Sequence, residues 1–207
     1  MIETGLEVWE YGTLNIDNPN TSPLKPYYEI ILEKQFVSGP VLELGVATGK
    51  SLLTTALILK FYGIEKKVYG YDTFEGFPDF SPEDDLSTFE YLYSKNMISE
   101  KHYFDFKKNL SHLNLKQSKL TPRNISSSGD FSGTTITEIF MKANHIGVAD
   151  LIELNQVDLS RNFSLDVFPS SHSVAIIDLD LYTGYRNTLP TLWERLSPGG
   201  AIYLDEY

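Results

Sequence analysis

Residues 41–51 read VLELGVATGKS, and the way they divide decides the fold. Val41 to Gly45 is a short apolar run closed by glycine, the pattern of a buried strand. Lys50 to Tyr62 is apolar at helical spacing and stops at Gly63, the pattern of a helix with a glycine cap. Strand, glycine turn and helix in that order make the first half of a βα unit, and the unit recurs. VYGYD (68–72), LIELN (151–155), SVAIIDLD (173–180) and AIYLD (201–205) read as four further strands. Between them, Thr134/Thr135 offer an N-cap for a helix to His145 closed by Gly147, and another helix runs up to Leu196. Pro190 is expected to delay or kink that last helix, and SPGG (197–200) to form a turn before the fifth strand. Upstream, Pro26 opens a helix from Tyr27 to Phe36 with Tyr28, Ile31 and Leu32 on one face, ended by Gly39-Pro40. Short apolar strands alternating with helices predict an α/β, Rossmann-like fold, a mostly parallel sheet covered on both faces.

The chain has 207 residues, 42% of them apolar, with no Cys and a net charge of −11. That length suits a single domain, 1–207, and the missing thiols exclude disulfides and thiolate metal sites. The acidic balance argues against nucleic-acid binding, which depends on Lys and Arg neutralising phosphates. No apolar run approaches the roughly 18 residues that span a membrane. The start, MIETGLEVWE, lacks the basic-then-apolar pattern of a secretory leader. These features predict a cytoplasmic protein whose partners are neither nucleic acid nor membrane, and they leave homo-oligomerisation open. Residues 81–133 are a compositional island with 7 basic and 7 acidic groups, against 6 and 11 before it and 4 and 10 after it. The island reads as an inserted helical and loop region. Its aromatics (Phe89, Tyr91, Tyr93, Tyr103, Phe104, Phe106) form either a lid-like acceptor wall or an ordinary helical pair with a solvated basic face.

In open parallel sheets, ligands bind beyond the carboxyl ends of the strands. Polar residues gather there at four strand ends: Glu43 to Ser51, Asp72 to Glu75, Asp178 to Tyr182, and Asp205-Glu206. The first loop has two readings. As a phosphate loop it offers Gly45-x-x-x-Gly49-Lys50-Ser51, one residue short of the spacing that wraps a phosphate. As an S-adenosyl-L-methionine pocket, Glu43 faces the cationic amino end, Gly45 and Gly49 let the backbone approach, and Asp72 accepts from the ribose hydroxyls. The 29-residue step from Glu43 to Asp72 fits one βαβ unit. The carboxylates also admit a plainer reading, as a solvated acidic edge, with Asp178 and Asp180 capping the next helix.

ELGVATGKS, YDTFEGFP, IDLDLY and LSPGG followed by LDEY together resemble the TylF/MycF-type macrocin O-methyltransferases, metal-dependent sugar methyltransferases. The resemblance runs from about Gly39 to Tyr207, interrupted by residues 81–133, and DTFEGFP (72–78) is its most specific motif. It implies a class I fold of seven strands with S-adenosyl-L-methionine as methyl donor and Mg2+ as cofactor. The acceptor it implies is a small molecule, a sugar or glycosylated metabolite. On this reading the last two family strands are missing after Tyr207. Gly45, Thr48, Gly49 and Ser51 would line the methionine end, Asp72 with Thr73 and Phe74 the ribose, and Gln156, Val157 and Asp158 the adenine. The family pattern further implies Asp178, Asp205 and Glu206 as metal ligands, with Asp178 or Asp180 as the base. Two positions depart from that pattern: Glu206 stands where the family usually has Asp, and Thr183-Gly184 where it has Glu-Ser. None of the four His is assigned a catalytic role. The readings that stand against a methyltransferase are a phosphate-loop nucleotide hydrolase and a catalytically silent S-adenosylmethionine-binding module.

Overall fold

The computed structural model describes residues 24–78, 81–84, 86–115 and 132–205. Five parallel strands form one sheet: β1 (Val41–Leu44), β2 (Val68–Asp72), β3 (Ile152–Gln156), β4 (His172–Ile177) and β5 (Leu196–Leu204). Their spatial order is β3-β2-β1-β4-β5, so the strand order reverses between β1 and β4. The sheet is covered on both faces because its strands alternate apolar side chains between two cores. Val41, Val68, Val174 and Ile176 pack under α1 (Lys25–Glu33), α2 (Lys50–Phe61) and α5 (Ile136–His145). Leu42, Leu44, Tyr71, Ala175 and Ile177 pack on the other face, with Phe168 and with Leu192 of α6 (Tyr182–Glu194). Every residue of α2 from Leu52 to Leu59 is buried. A helix apolar all round must be enclosed on all sides, and α2 sits between the sheet, α1 and α5.

The local signals act as the chemistry predicts. Thr135 caps α5 through a reciprocal box: its hydroxyl accepts from Glu138 N, and its own amide donates to the Glu138 carboxylate. Helix α2 ends in a paired closure, with Ile64 N donating to Leu59 O and Gly63 N to Lys60 O. Three expectations need correction. The buried face of α1 is carried by Tyr27 and Ile31 rather than centred on Tyr28, because the Tyr27 ring lies 5.4 Å from that of Tyr203 on β5. Tyr28 and Leu32 are half-buried against the same core as Ile31, and the Tyr28 hydroxyl lies 2.7 Å from that of Tyr62. Strand β4 ends at Ile177, so Asp178 and Asp180 belong to the following loop. Ser197 to Gly200 do not separate a helix from a strand. They form a bulge inside β5, since Leu196 pairs with His172 and Ala201 with Val174. Pro198 is tolerated there because the bulge leaves its position outside the regular ladder. Helix α6 continues through Pro190.

The described residues of 81–133 include two helices, α3 (Leu86–Ser94) and α4 (Glu100–Leu115). Their aromatic side chains meet one another: Phe89 stacks on Phe106 at 4.1 Å and Tyr93 on Tyr103 at 4.2 Å. The pair is rooted by the short turn Pro82–Asp84, where Asp84 Oδ1 accepts from Tyr182 N at 2.9 Å. That bond supplies the first turn of α6 with a carboxylate from across the fold, since Leu181 at its N-cap provides no side-chain bond. Residues 116–131, which hold most of the polar run before Gly133, lie outside the described residues. Among the described residues no helix is long and apolar enough to cross a membrane.

Where β1 ends, the chain passes so close to β4 that a Cβ on Gly45 would lie 1.7 Å from the carbonyl oxygen of Asp178. Gly45 also holds a φ of +89°. Gly45→Ala is therefore expected to cost more than about 3 kcal/mol. Gly63→Ala, with a φ of +63° and nothing within 4 Å, should cost only about 1–2 kcal/mol. Urea denaturation of the two variants beside the wild type checks this; equal losses would refute the role assigned to the close approach.

Candidate active site

The loops that leave β1, β2, β3 and β4 surround a cavity of about 140 Å³ at the carboxyl edge. The first loop contributes Gly45 and Ala47, the second Asp72, Thr73 and Gly76 to Pro78, the third Val157 to Ser160. The fourth contributes Asp178 to Leu181, joined by Gly184 of α6. The site therefore lies where the strand order reverses, as the topology of such sheets requires.

Asp72 joins the first two loops. Its Oδ2 accepts from Val46 N at 2.7 Å and Ala47 N at 3.0 Å, and its Oδ1 accepts from Phe74 N at 2.8 Å. Ala47 and Phe74 hold positive φ angles of 46° and 53°, a conformation that costs a non-glycine residue on the order of 1–3 kcal/mol. Hydrogen bonds to a charged carboxylate contribute about 1.5–3 kcal/mol each, enough to hold both turns. Thr73 closes the second loop by donating to Gly76 O at 2.7 Å while accepting from Glu75 N. Gln156 braces the same loop, its amide donating to Thr73 O at 3.0 Å and Glu75 Oε1 at 3.3 Å. Val157 and Asp158 reach the cavity wall, and Asp158 is itself fixed by Ser160 N at 2.9 Å and Arg161 Nε at 3.0 Å.

Other expected residues lie behind the wall. Glu43 is 1% exposed and faces the core under α2, where Ser51 Oγ donates to its Oε1 at 2.7 Å. Its Oε2 is buried without a hydrogen-bond partner. Burial pushes the Glu43 carboxyl up to about 8, and the nearby Asp178 and Asp72 charges push the same way against the Ser51 bond. Gly49 caps α2 in the left-handed region, and a Cβ there would lie 3.1 Å from Ile139. Both first-loop glycines thus meet protein rather than open space. Thr48 is exposed, and neither Thr48 nor Phe74 lines the cavity.

The acidic edge is concentrated on one face. Asp178 and Asp180 both line the cavity, and Asp180 turns with a φ of +58°. Asp205 follows β5, its amide donating to Ile177 O at 3.1 Å and its Oδ1 accepting from Tyr203 Oη at 3.2 Å. The Tyr27 phenol is held far above its ordinary range, first by burial and then by Glu43, Asp178 and Asp205, so these acids share one field. Glu206 lies outside the described residues, and among those described no group of three or more His, Asp or Glu is arranged to hold a metal. His172 opens β4, fully buried at the opposite end of the sheet, and burial pushes its imidazole down to about 4. A wider groove of about 540 Å³ also opens at that amino end. Its half-buried cation, Lys66, donates to the Val37 and Gly39 carbonyls.

Sequence reasoning did not single out Gly76, Phe77, Pro78, Leu179, Leu181 or Gly184 as site residues. Their signal was adjacency: they lie within or beside DTFEGFP and IDLDLY. The geometry also bears on the phosphate-loop reading. Such a loop cradles phosphate with unpaired backbone amides, whereas the Val46 and Ala47 amides here donate to Asp72.

A parallel sheet reversing between β1 and β4, with a glycine turn after β1 and an acid ending β2, defines a Rossmann-like methyltransferase fold. Residues 42–207 match the family model described as a methyltransferase domain, and the chain belongs to that family. Among solved structures it resembles the O-methyltransferase NovP at 18% identity and a TM-score of 0.60, covering 88% of this chain. It spans 63% of NovP's length. It also resembles CalS11, a calicheamicin methyltransferase, at 16% identity and a TM-score of 0.56, covering 99% of this chain and 76% of that one. At these identities the likeness is one of fold. No curated protein matches the chain.

The Glu43 carboxyl gives a signed pH prediction. Its folded value, about 8, lies above its ordinary 4.5, so the folded state retains a proton that the unfolded state releases. That contribution is fully present below about 4.5 and is lost as pH rises toward 8. The stability difference between wild type and Glu43→Gln should therefore move steadily in favour of the variant from pH 5 to pH 8.5. Urea midpoints at four pH values check it, and a pH-independent difference would refute the buried, protonated carboxyl.

Proposed function

We propose that the chain is an S-adenosyl-L-methionine-dependent O-methyltransferase acting on a hydroxyl of a sugar or glycosylated small metabolite. The observation that carries the reading is the meeting of Asp178 and Asp180 with the Gly45 and Asp72 loops on one cavity. The methyl donor is supported by family membership. The sugar-type acceptor is supported by the DTFEGFP motif and its resemblance to TylF/MycF-type enzymes. In the proposed site the donor's ribose lies by Asp72 and Thr73, its adenine by Val157 and Asp158, and its methionine end along the first loop.

A sugar hydroxyl is a poor nucleophile until its proton is taken. Its oxygen attacks the methyl carbon in line with the departing sulfur. The O–CH3 bond forms as the S–CH3 bond breaks, and the hydroxyl proton passes to Asp178 or Asp180. S-adenosylhomocysteine leaves as the neutral thioether. The donor set is all oxygen, which suits a hard divalent cation, and the shared negative field at Tyr27 is one that a cation would relieve. Asp178 and Asp205, with Glu206, would hold Mg2+. When bound, the ion supplies electrostatic stabilisation of the developing alkoxide.

Titration calorimetry with S-adenosylhomocysteine and with ATP, each with and without Mg2+, tests the class. Binding of the thioether and no binding of ATP is expected, and the reverse pattern would overturn the reading. On an acceptor found by screening glycosylated metabolites, Asp178→Ala and Asp180→Ala should each lower turnover by roughly 10²–10⁴-fold. Their affinity for S-adenosylhomocysteine should change by less than about threefold, and EDTA should abolish turnover. Turnover that persists through both EDTA and Asp178→Ala would refute the metal-assisted mechanism.

A further inference from the structure

The ribose of a bound nucleoside carries two hydroxyls, and the acid ending β2 is the obvious acceptor for both. Asp72 is already occupied. A carboxylate has about four lone-pair positions. Val46 N and Ala47 N fill both on Oδ2, at 2.7 and 3.0 Å, and Phe74 N fills one on Oδ1, at 2.8 Å. The Thr73 hydroxyl lies 3.4 Å from Oδ1, but its single proton serves Gly76 O at 2.7 Å. One acceptor position remains, on Oδ1. The amides that fill the others belong to, or adjoin, the left-handed turns at Ala47 and Phe74, which have no glycine to ease them.

We infer that Asp72 is chiefly a positioning residue: it locks the first and second loops together, and it offers the nucleoside ribose one acceptor position instead of two. The inference rests on the methyltransferase reading only for the identity of the ligand. Releasing the carboxylate from the loops to take both hydroxyls would free Val46 and Ala47 N–H groups in a part-buried site, which carries its own cost. The second hydroxyl must then be met by another group or by water. The step from strand to ligand accordingly runs through the loop backbone, and damage at residue 72 spreads to everything the first loop touches.

Two measurements test this. In the ligand-free protein, amide hydrogen exchange at Val46, Ala47 and Phe74 should accelerate by tenfold or more in Asp72→Ala, with the β1 and β4 amides unchanged. Asp72→Asn, which keeps the shape and one carbonyl acceptor, should fall between and serves if the alanine variant does not fold. Calorimetry then compares S-adenosylhomocysteine with its 2′,3′-dideoxy analogue. Removing the diol should weaken wild-type binding by no more than about tenfold. Asp72→Ala should weaken binding of both ligands by similar, larger factors. Unchanged exchange at the three amides would overturn the inference. So would a diol effect of a hundredfold or more in the wild type that disappears in Asp72→Ala, the signature of a direct two-bond ribose acceptor. Failure of the wild type to bind S-adenosylhomocysteine would count against the proposed function alone, because the exchange arm needs no ligand.

Discussion

The carboxyl ends of β1 and β4 meet without room for a side chain, and the rest of the site follows from that contact. Gly45 N donates to Tyr71 O on one side and Asp178 N to Leu44 O on the other, so three strands are tied within one peptide of the turn. A Cβ at position 45 would occupy the Asp178 carbonyl. The loop after β4 starts at Asp178, the residue on which this close approach falls. That early ending turns Asp178 and Asp180 together into the cavity. In a regular strand they would share a face and extend away along it. The acids thus stand directly beside the glycine turn.

Charge is distributed with the same economy. Glu43 and Asp72 both end in or next to the first loop, yet they do opposite work. Glu43 is enclosed beneath α2 with one hydroxyl donor, and its environment favours the neutral acid. Asp72 receives three main-chain amides and so ties two loops together. The pair illustrates why an acidic motif alone does not reveal function: spacing tells which strand end an acid occupies, while its role is set by the donors that reach it.

The strands were legible because each is a short apolar run bounded by glycine or by polar residues, and a parallel sheet covered on both faces requires that pattern. Helix ends were legible where a side chain makes the cap, as at Thr135 and Glu138. What could not be read depends on contacts between distant segments. The rotation of α1 is set by Tyr203, 176 positions downstream of Tyr27. The bulge at Ser197 to Gly200 is set by pairing with β4, and Gly200 has only 2.6 Å between a built Cβ and Ser173 O. Gly49 reads as a ligand-approach glycine, yet the neighbour it accommodates is Ile139 on α5. The site was legible as a set of strand ends; the division of its residues into wall, brace and buried support was not, because that depends on which donors fold back onto each acid.

Helices α3 and α4 show the same limit from the other side. Six aromatics in a charge-balanced, helix-forming stretch suggest a surface waiting for a ligand, and composition alone cannot distinguish that from a self-contained pair. In the structure Phe89 stacks on Phe106 and Tyr93 on Tyr103, across α3 and α4. Aromatic pairs of this kind contribute about 0.5–1.5 kcal/mol beyond the area they bury, which favours a hairpin that holds its own shape. Tyr91 and Phe104 stay exposed, at 58% and 55%. Asp84, at the root of the pair, bonds the first turn of the helix that carries Gly184 into the cavity wall. This segment is thereby joined to the site through the N-terminus of α6, by a carboxylate on a backbone amide.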